Sequence, residues 1–317
     1  MVLDTHVHVW DTSVLDYPWL AGAPTLPARA LPGDVDRAVG RSTRMVFVEA
    51  DRLPHQGLAE ARWVDALDWP ELAGIVAYAD LTASVAAALD DLMSIDRVVG
   101  IRHSLQGAPA EIWNLAALAD GLRELAGRGL TFDACVRHAQ LPTLATLLEQ
   151  VPEAAVVVDH LGKPPVDAGL DSDAGRAWHD ALRRIAALPR AHLKLSGLAA
   201  ETTDAAAYRE HVDAFLAAGV AAFGAARCMI GGDWPVSAHI GVGTTLAGWI
   251  DRVRRATSAS GDDWERLCDR TGAAFYGLAP SPGAQGDKAP DDSARSDSTP
   301  GDKAPDDKAP DDGSTRP

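Results

Sequence analysis

Short apolar, β-branched runs recur eight times along this 317-residue chain, and nearly every one is followed by a helical pattern. The runs cover residues 2–5, 45–49, 75–79, 98–103, 130–136, 155–160, 192–196 and 228–233. Several are apolar without strict alternation, which is how parallel strands covered by helices read. Between them, residues 57–67 put Leu58, Ala61, Val64 and Leu67 on one helical face. Helical patterns follow at 84–93, 111–126, 141–150, 174–188, 205–218 and 244–256. After the first run there is only a long Pro-rich loop with a weak helical stretch near 34–39. A last helix over 262–276 is expected to close the bottom. Eight βα units in about 280 residues predict an α/β protein, a (β/α)8 TIM barrel. A doubly wound open sheet would usually carry a glycine-rich phosphate loop after its first strand, where this chain has His6-Val-His8.

The barrel is expected over residues 1–280. Residues 281–317 differ in kind: Gly-Asp-Lys-Ala-Pro-Asp-Asp appears at 286–292 and again at 301–307, and Val, Ile, Leu and aromatics are absent. Such a segment has too little apolar surface to offset the entropy of ordering, so a disordered, acidic, low-complexity tail without a catalytic role is expected. The chain's formal charge is −16, and the tail's nine Asp against three Lys and two Arg leave −12 on the body. An acidic body repels phosphate backbones, which argues against nucleic acid as a partner. No apolar run approaches the ~20 residues needed to span a bilayer. The start shows no basic stretch followed by an apolar one, so a cytoplasmic protein is expected. Cys135, Cys228 and Cys268 are far apart and form no C-x-x-C pair, which suggests neither a disulfide framework nor a thiolate zinc site.

Catalytic groups of an α/β barrel sit at the C-terminal ends of its strands. There the runs carry His6 and His8, Glu49 and Asp51, Arg102 and His103, Arg137 and His138, Asp159 and His160, and Asp233 followed by Trp234. Six of the ten histidines lie near a run's end, although His192 opens its run and faces the other rim. His6 and His8 are two apart on a strand and point the same way, which suits two imidazoles on one divalent metal or one substrate oxygen. Asp233 follows Gly231-Gly232, where the backbone approaches something closely, and its carboxylate can take a proton from water. A simple helix cap is a poorer account of Asp233, because Trp-Pro comes next. Arg102 and Arg137 suit a carboxylate or carbonyl ligand, or an ion pair with Glu49 or Asp159. Lys194 either lines the mouth or pairs with a carboxylate. His55, His179, His211 and His239 read as surface or loop residues.

In order along the chain stand Asp4-Thr-His-Val-His-Val-Trp10, Val46-Phe-Val-Glu-Ala50, Gly100-Ile-Arg-His103, Val158-Asp-His-Leu-Gly-Lys-Pro164 and Gly231-Gly-Asp-Trp-Pro-Val236. With these the chain resembles the amidohydrolase-2 group of the amidohydrolase superfamily, and within it the sugar-lactone hydrolases of L-rhamnono- and L-fucono-lactonase type. The resemblance implies hydrolysis of a cyclic ester, a small-molecule lactone, by water attack. Asp233 would be the general base, with His6, His8 and His160 around the reacting water and carbonyl. Arg102, His103, Arg137, His138, Glu49 and Trp234 would face the substrate. Two-metal relatives carry a lysine at the end of strand four; this chain has none there. A two-metal centre is therefore not expected. Because a lactone is already a reactive ester, no obligatory cofactor is expected either, with a single zinc or manganese on His6, His8 and Asp233, and a third histidine, His138 or His160, as the option left open. The rival activities are metal-dependent non-oxidative decarboxylation of an unsaturated or aromatic acid, and hydrolysis of a muconolactone or pyrone. The sequence does not fix the oligomeric state.

Overall fold

In the computed structural model, which describes residues 1–279, eight parallel strands lie side by side in chain order. They are β1 (Val2–Val7), β2 (Ser42–Val48), β3 (Leu72–Tyr78), β4 (Val98–Arg102), β5 (Thr131–Ala134), β6 (Val156–Val158), β7 (Ala191–Leu195) and β8 (Cys228–Ile230). Helices α1 (Gly57–Asp65), α2 (Ala86–Met93), α3 (Leu115–Arg128), α4 (Leu141–Leu148), α5 (Asp173–Ala186), α6 (Ala205–Phe223) and α7 (Leu246–Thr257) connect them or follow the last. This is the (β/α)8 barrel that the alternation predicts. The segment expected to be a disordered tail lies outside the described residues. Among the described residues, no helix is long and apolar enough to cross a membrane.

Four of these seven helices start where a side chain can accept from their free N–H groups. Asn114, Ser172, Asp204 and Thr245 each accept from a first-turn backbone nitrogen of α3, α5, α6 and α7. Such caps contribute about 1 kcal/mol each. Residues 34–39 do not form the helix expected there. Pro32–Asp34 makes a single 3-10 turn, and Ala38 and Val39 have φ of 48° and 57°. The Asp36 carboxylate accepts from Ala38 N at 2.8 Å and from Leu246 N at 2.7 Å, so a local side-chain bond replaces the helical one.

The strands bury both faces. One set of their side chains, including Phe47, Ile75, Ile101, Phe132 and Leu193, packs in the large cluster with helix residues such as Leu122, Leu144, Leu182 and Phe215. Leu3, Val46, Val48, Val76, Val157 and Met229 form a separate, smaller cluster with Ala273 and Tyr276 of the final segment. That segment runs as Gly261–Glu265, a π-helical Arg266–Arg270 and Thr271–Phe275, and its contacts with β1 and β8 make it the barrel's plug. Each of these large apolar side chains gains about 1.5–3 kcal/mol from burial, so the plug stabilises the barrel as well as sealing it.

Closure between β1 and β8 is thin. Among the described residues, an isolated parallel bridge from Val7 to Trp234, past the end of β8, is the ladder-type pairing at this edge. The rest of the seam is held by Thr5 Oγ1 donating to Ile230 O at 2.8 Å, Gly232 N donating to Asp4 Oδ1 at 2.7 Å, Asp233 N donating to His6 O at 2.7 Å and His8 N donating to Trp234 O at 2.8 Å. Most strands stop one to three residues before the ends of their apolar runs. β6 stops at Val158 and β8 at Ile230, after which His160, Leu161 and Asp233 take φ of 54°, 54° and 55°. These left-handed turns swing the functional side chains off the strand direction and into the barrel mouth.

Candidate active site

His6 and His8 extend from β1 with their Nε2 atoms 3.2 Å apart. Gly231 makes this approach workable, since a Cβ there would stand 2.7 Å from the His6 Cβ. Carbonyl oxygens only accept, so His8 Nδ1 donates to Val48 O at 2.8 Å, which turns its Nε2 towards His6 and Asp233. His160 Nδ1 bonds Ser196 Oγ at 2.9 Å, which turns its Nε2 towards Asp233. Asp233 Oδ2 accepts from Ser237 Oγ at 2.6 Å, while Oδ1 faces the three imidazoles. It lies 3.8 Å from His6 Nε2, 3.6 Å from His8 Nε2 and 3.9 Å from His160 Nε2. All four side chains are buried.

Burial alone would push the Asp233 carboxyl up, but His160, His8 and His6 outweigh it and hold Asp233 well below the usual carboxylate range. It is therefore ionised at neutral pH. Burial drives His160 down to about 4 and, with Lys194, drives His6 well below the ordinary histidine value, so both are neutral. Beneath them lies a second, fully buried charge cluster. Lys194 of β7 bonds Asp133 of β5, and its Nζ stands 3.1 Å from Asp159 Oδ1 and 3.2 Å from His6 Nδ1. The Tyr276 hydroxyl donates to Asp133 Oδ2 at 2.9 Å. Of the two readings of Lys194, pairing with a carboxylate is the one the structure contains.

A cavity of about 310 Å³ opens above Asp233, within the usual range for small-molecule sites. His8, His160 and Asp233 form its floor, and Arg102, Arg137, Lys163 and Glu201 are in its wall. Lys163 Nζ donates to Glu201 Oε1 at 2.7 Å, and Arg137 Nη1 lies 3.8 Å from Glu201 Oε2. Of the residues the sequence nominates for substrate contact, Arg102 and Arg137 reach this wall; Glu49, His103, His138 and Trp234 do not. Glu49 is buried behind Arg102, accepting from its Nε at 2.6 Å and from Arg52 Nη1 at 2.7 Å. His103 Nδ1 accepts from Leu81 N at 3.2 Å, and its ring stands edge-on to Tyr78. His138 Nδ1 donates to Lys163 O at 3.0 Å, and Trp234 is buried at the seam. With Trp19, Gln106 and Ile240, Lys163 and Glu201 are among the wall residues that the sequence did not single out. Their loops are 38 residues apart, and only the lysine's place after His160-Leu-Gly hinted at it.

The donor set suits a single divalent cation. His6 Nε2, His8 Nε2 and an Asp233 oxygen lie mutually within 4.8 Å, and nitrogen and oxygen donors at such separations match the tetrahedral preference of zinc. His160 Nε2, beside the same carboxylate, is the nearer choice for a further ligand, since His138 is turned away.

Paired imidazoles from the first strand, a histidine after the sixth and a carboxylate after the eighth, all at the mouth of a parallel barrel, define an α/β-barrel enzyme. More specifically, the chain belongs to the amidohydrolase family, whose model (Amidohydro_2) matches residues 3–278. It is 30% identical over 255 residues to an L-fucono-1,5-lactonase of Burkholderia ambifaria, covering 78% of this chain and 85% of that one. It is also 30% identical over 294 residues to an L-fucono-1,5-lactonase of Burkholderia multivorans, covering 88% and 97%. Among solved structures it is similar to an amidohydrolase from Burkholderia multivorans with bound zinc, with a TM-score of 0.77 and 28% identity over 88% of this chain and 100% of that one.

Proposed function

We propose that this enzyme hydrolyses the lactone of a sugar acid, with Asp233 as general base. The observation that carries the reading is the convergence of three imidazole Nε2 atoms within 3.9 Å of one ionised carboxylate oxygen, beneath a cavity with a polar wall. The lactonase relatives supply the substrate class.

In this mechanism the lactone lies against Arg102, Lys163 and Glu201 with its carbonyl over the imidazoles. Asp233 Oδ1 takes a proton from the attacking water, and Ser237, bonded to Oδ2, fixes the carboxylate's orientation. The His160 imidazole and the Arg102 guanidinium offset the charge that grows on the carbonyl oxygen. The ring oxygen then leaves as an alcohol, taking the proton back from Asp233. His6, His8 and Asp233 would hold a divalent cation, which when bound acidifies water and polarises a carbonyl.

The test is initial-rate hydrolysis of an aldonolactone panel, followed with a pH indicator, for the wild type and Asp233→Asn with and without prior chelation. The variant should lose about 10²–10⁴-fold in kcat. Near-normal turnover would remove Asp233 from the role of base, and a panel left untouched by the wild type would remove the lactone assignment.

A further inference from the structure

The buried pair beneath His6 presents that imidazole with two incompatible partners at one nitrogen. Lys194 Nζ stands 3.2 Å from His6 Nδ1, and Asp159 Oδ1 stands 3.4 Å from the same atom. An ammonium only donates and a carboxylate only accepts. Thus Nδ1 is bare when it answers the lysine and protonated when it answers the aspartate. Asp159 is fully buried, and its Oδ1 faces both Lys194 Nζ at 3.1 Å and His6 Nδ1 at 3.4 Å. We infer that Lys194 and Asp159 form a tautomer selector that decides whether His6 can act as a metal ligand.

The two states follow from the hydrogen-bond chain. In the first, Lys194 donates to His6 Nδ1, His6 Nε2–H donates to His8 Nε2 at 3.2 Å, and His8 Nδ1–H donates to Val48 O. Every member of that chain is satisfied, and His6 Nε2 has no free lone pair for a cation. In the second, His6 Nδ1–H donates to Asp159 and Nε2 is bare. Lys194 keeps Asp133 and its ion pair with Asp159. One proton leaves Nε2 and one is taken at Nδ1, so the imidazole stays neutral and no proton is released overall from His6. A metal-ligating histidine needs the second arrangement, with its outer nitrogen donating to a carboxylate or carbonyl. His8 already has it through Val48; His6 acquires it only through Asp159. Both residues are positioning residues, since neither reaches the cavity wall. The inference rests on reading His6, His8 and Asp233 as a cation site.

The test is nitrogen-15 NMR of the full chain with labelled histidines, with the His6 resonances assigned by His6→Gln, recorded metal-free and after adding zinc chloride. The expected result is His6 protonated at Nε2 without zinc and at Nδ1 with it. Binding of zinc with His6 protonated at Nδ1 in both states would overturn the selector while leaving the cation site standing. Failure of zinc to bind at all would overturn both. Isothermal titration of variants supplies a second readout, with circular dichroism to show they are folded. Asp159→Asn can turn its amide N–H towards Nδ1, and should weaken zinc by about 10–100-fold. Lys194→Met removes the competing donor and should tighten it. If both variants shift zinc affinity in the same direction, the selector is refuted.

Discussion

Gly197 offers a direct test of whether the position of His160 governs catalysis. Its φ is 76°, and a Cβ built on it would stand 2.2 Å from His160 Nδ1 and 2.5 Å from Cγ. Ordinary contact begins near 3.4 Å, so in Gly197→Ala the imidazole must retreat by roughly 1 Å, and a misplacement of that size costs about 10²-fold in rate. The retreat also breaks the 2.9 Å bond between His160 Nδ1 and Ser196 Oγ. Left-handed backbone with a side chain adds about 1–2 kcal/mol of strain. Gly129 separates the two effects. Its φ is 73° and nothing lies within 4 Å of its virtual Cβ, so Gly129→Ala carries the strain without the collision. Lactone hydrolysis by pH indicator and thermal unfolding by circular dichroism should show both variants destabilised, Gly197→Ala by more, because the collision and the lost Ser196 bond add to the shared strain. Only Gly197→Ala should lose about two orders of magnitude in kcat/KM. If it keeps activity within about threefold of the wild type, the retreat of His160 does not matter and its assignment to the reacting centre is wrong.

Two further outcomes are expected. Burial holds His160 near 4 in the folded protein against 6.5 for an ordinary histidine. The unfolded chain therefore binds the extra proton between those values, and stability is complete above about 6.5 and falls as the pH drops towards 4. The melting temperature of metal-free protein should decline over that window, and less so in His160→Gln; a flat profile would contradict the neutral, buried imidazole. In the cavity wall, Lys163→Met removes a charged hydrogen-bonding group worth about 1.5–3 kcal/mol. It should raise KM for a polyhydroxylated lactone by about tenfold or more while sparing an unsubstituted one, and equal changes for both would exclude a role in reading hydroxyls.

Much of the barrel was legible because strand and helix periods differ, and the alternation survives in the residues themselves. His6, His8, His160 and Asp233 were legible because each ends an apolar run, where a polar side chain has few structural reasons to be. His103 and His138 met the same criterion yet turn away from the cavity. Their imidazoles are held by backbone partners instead, His103 by Leu81 N and His138 by Lys163 O, which a run's end does not reveal. Conversely, Lys163 and Glu201 come from separate loops, and no local pattern announces that two loops will meet. Lys194 was visibly odd in a covered strand, but its partners, Asp133 and Asp159, are adjacent only because β5, β6 and β7 are. The absent helix near 34–39 reflects competition by the Asp36 side chain, which propensity alone does not register.

The seam between the first and last strands carries a consequence for how this enzyme is gained and lost. Its stitches include the backbone of His6, His8 and Asp233, so the gathering of these side chains and the shutting of the ring are one event. A molecule with an unzipped ring has its carboxylate and its imidazole pair on opposite shores. Activity should therefore vanish in denaturant in step with the loss of the ring itself, leaving no half-open species that still turns over. During synthesis, a growing chain stays inert until the strand two hundred residues after the first has come home.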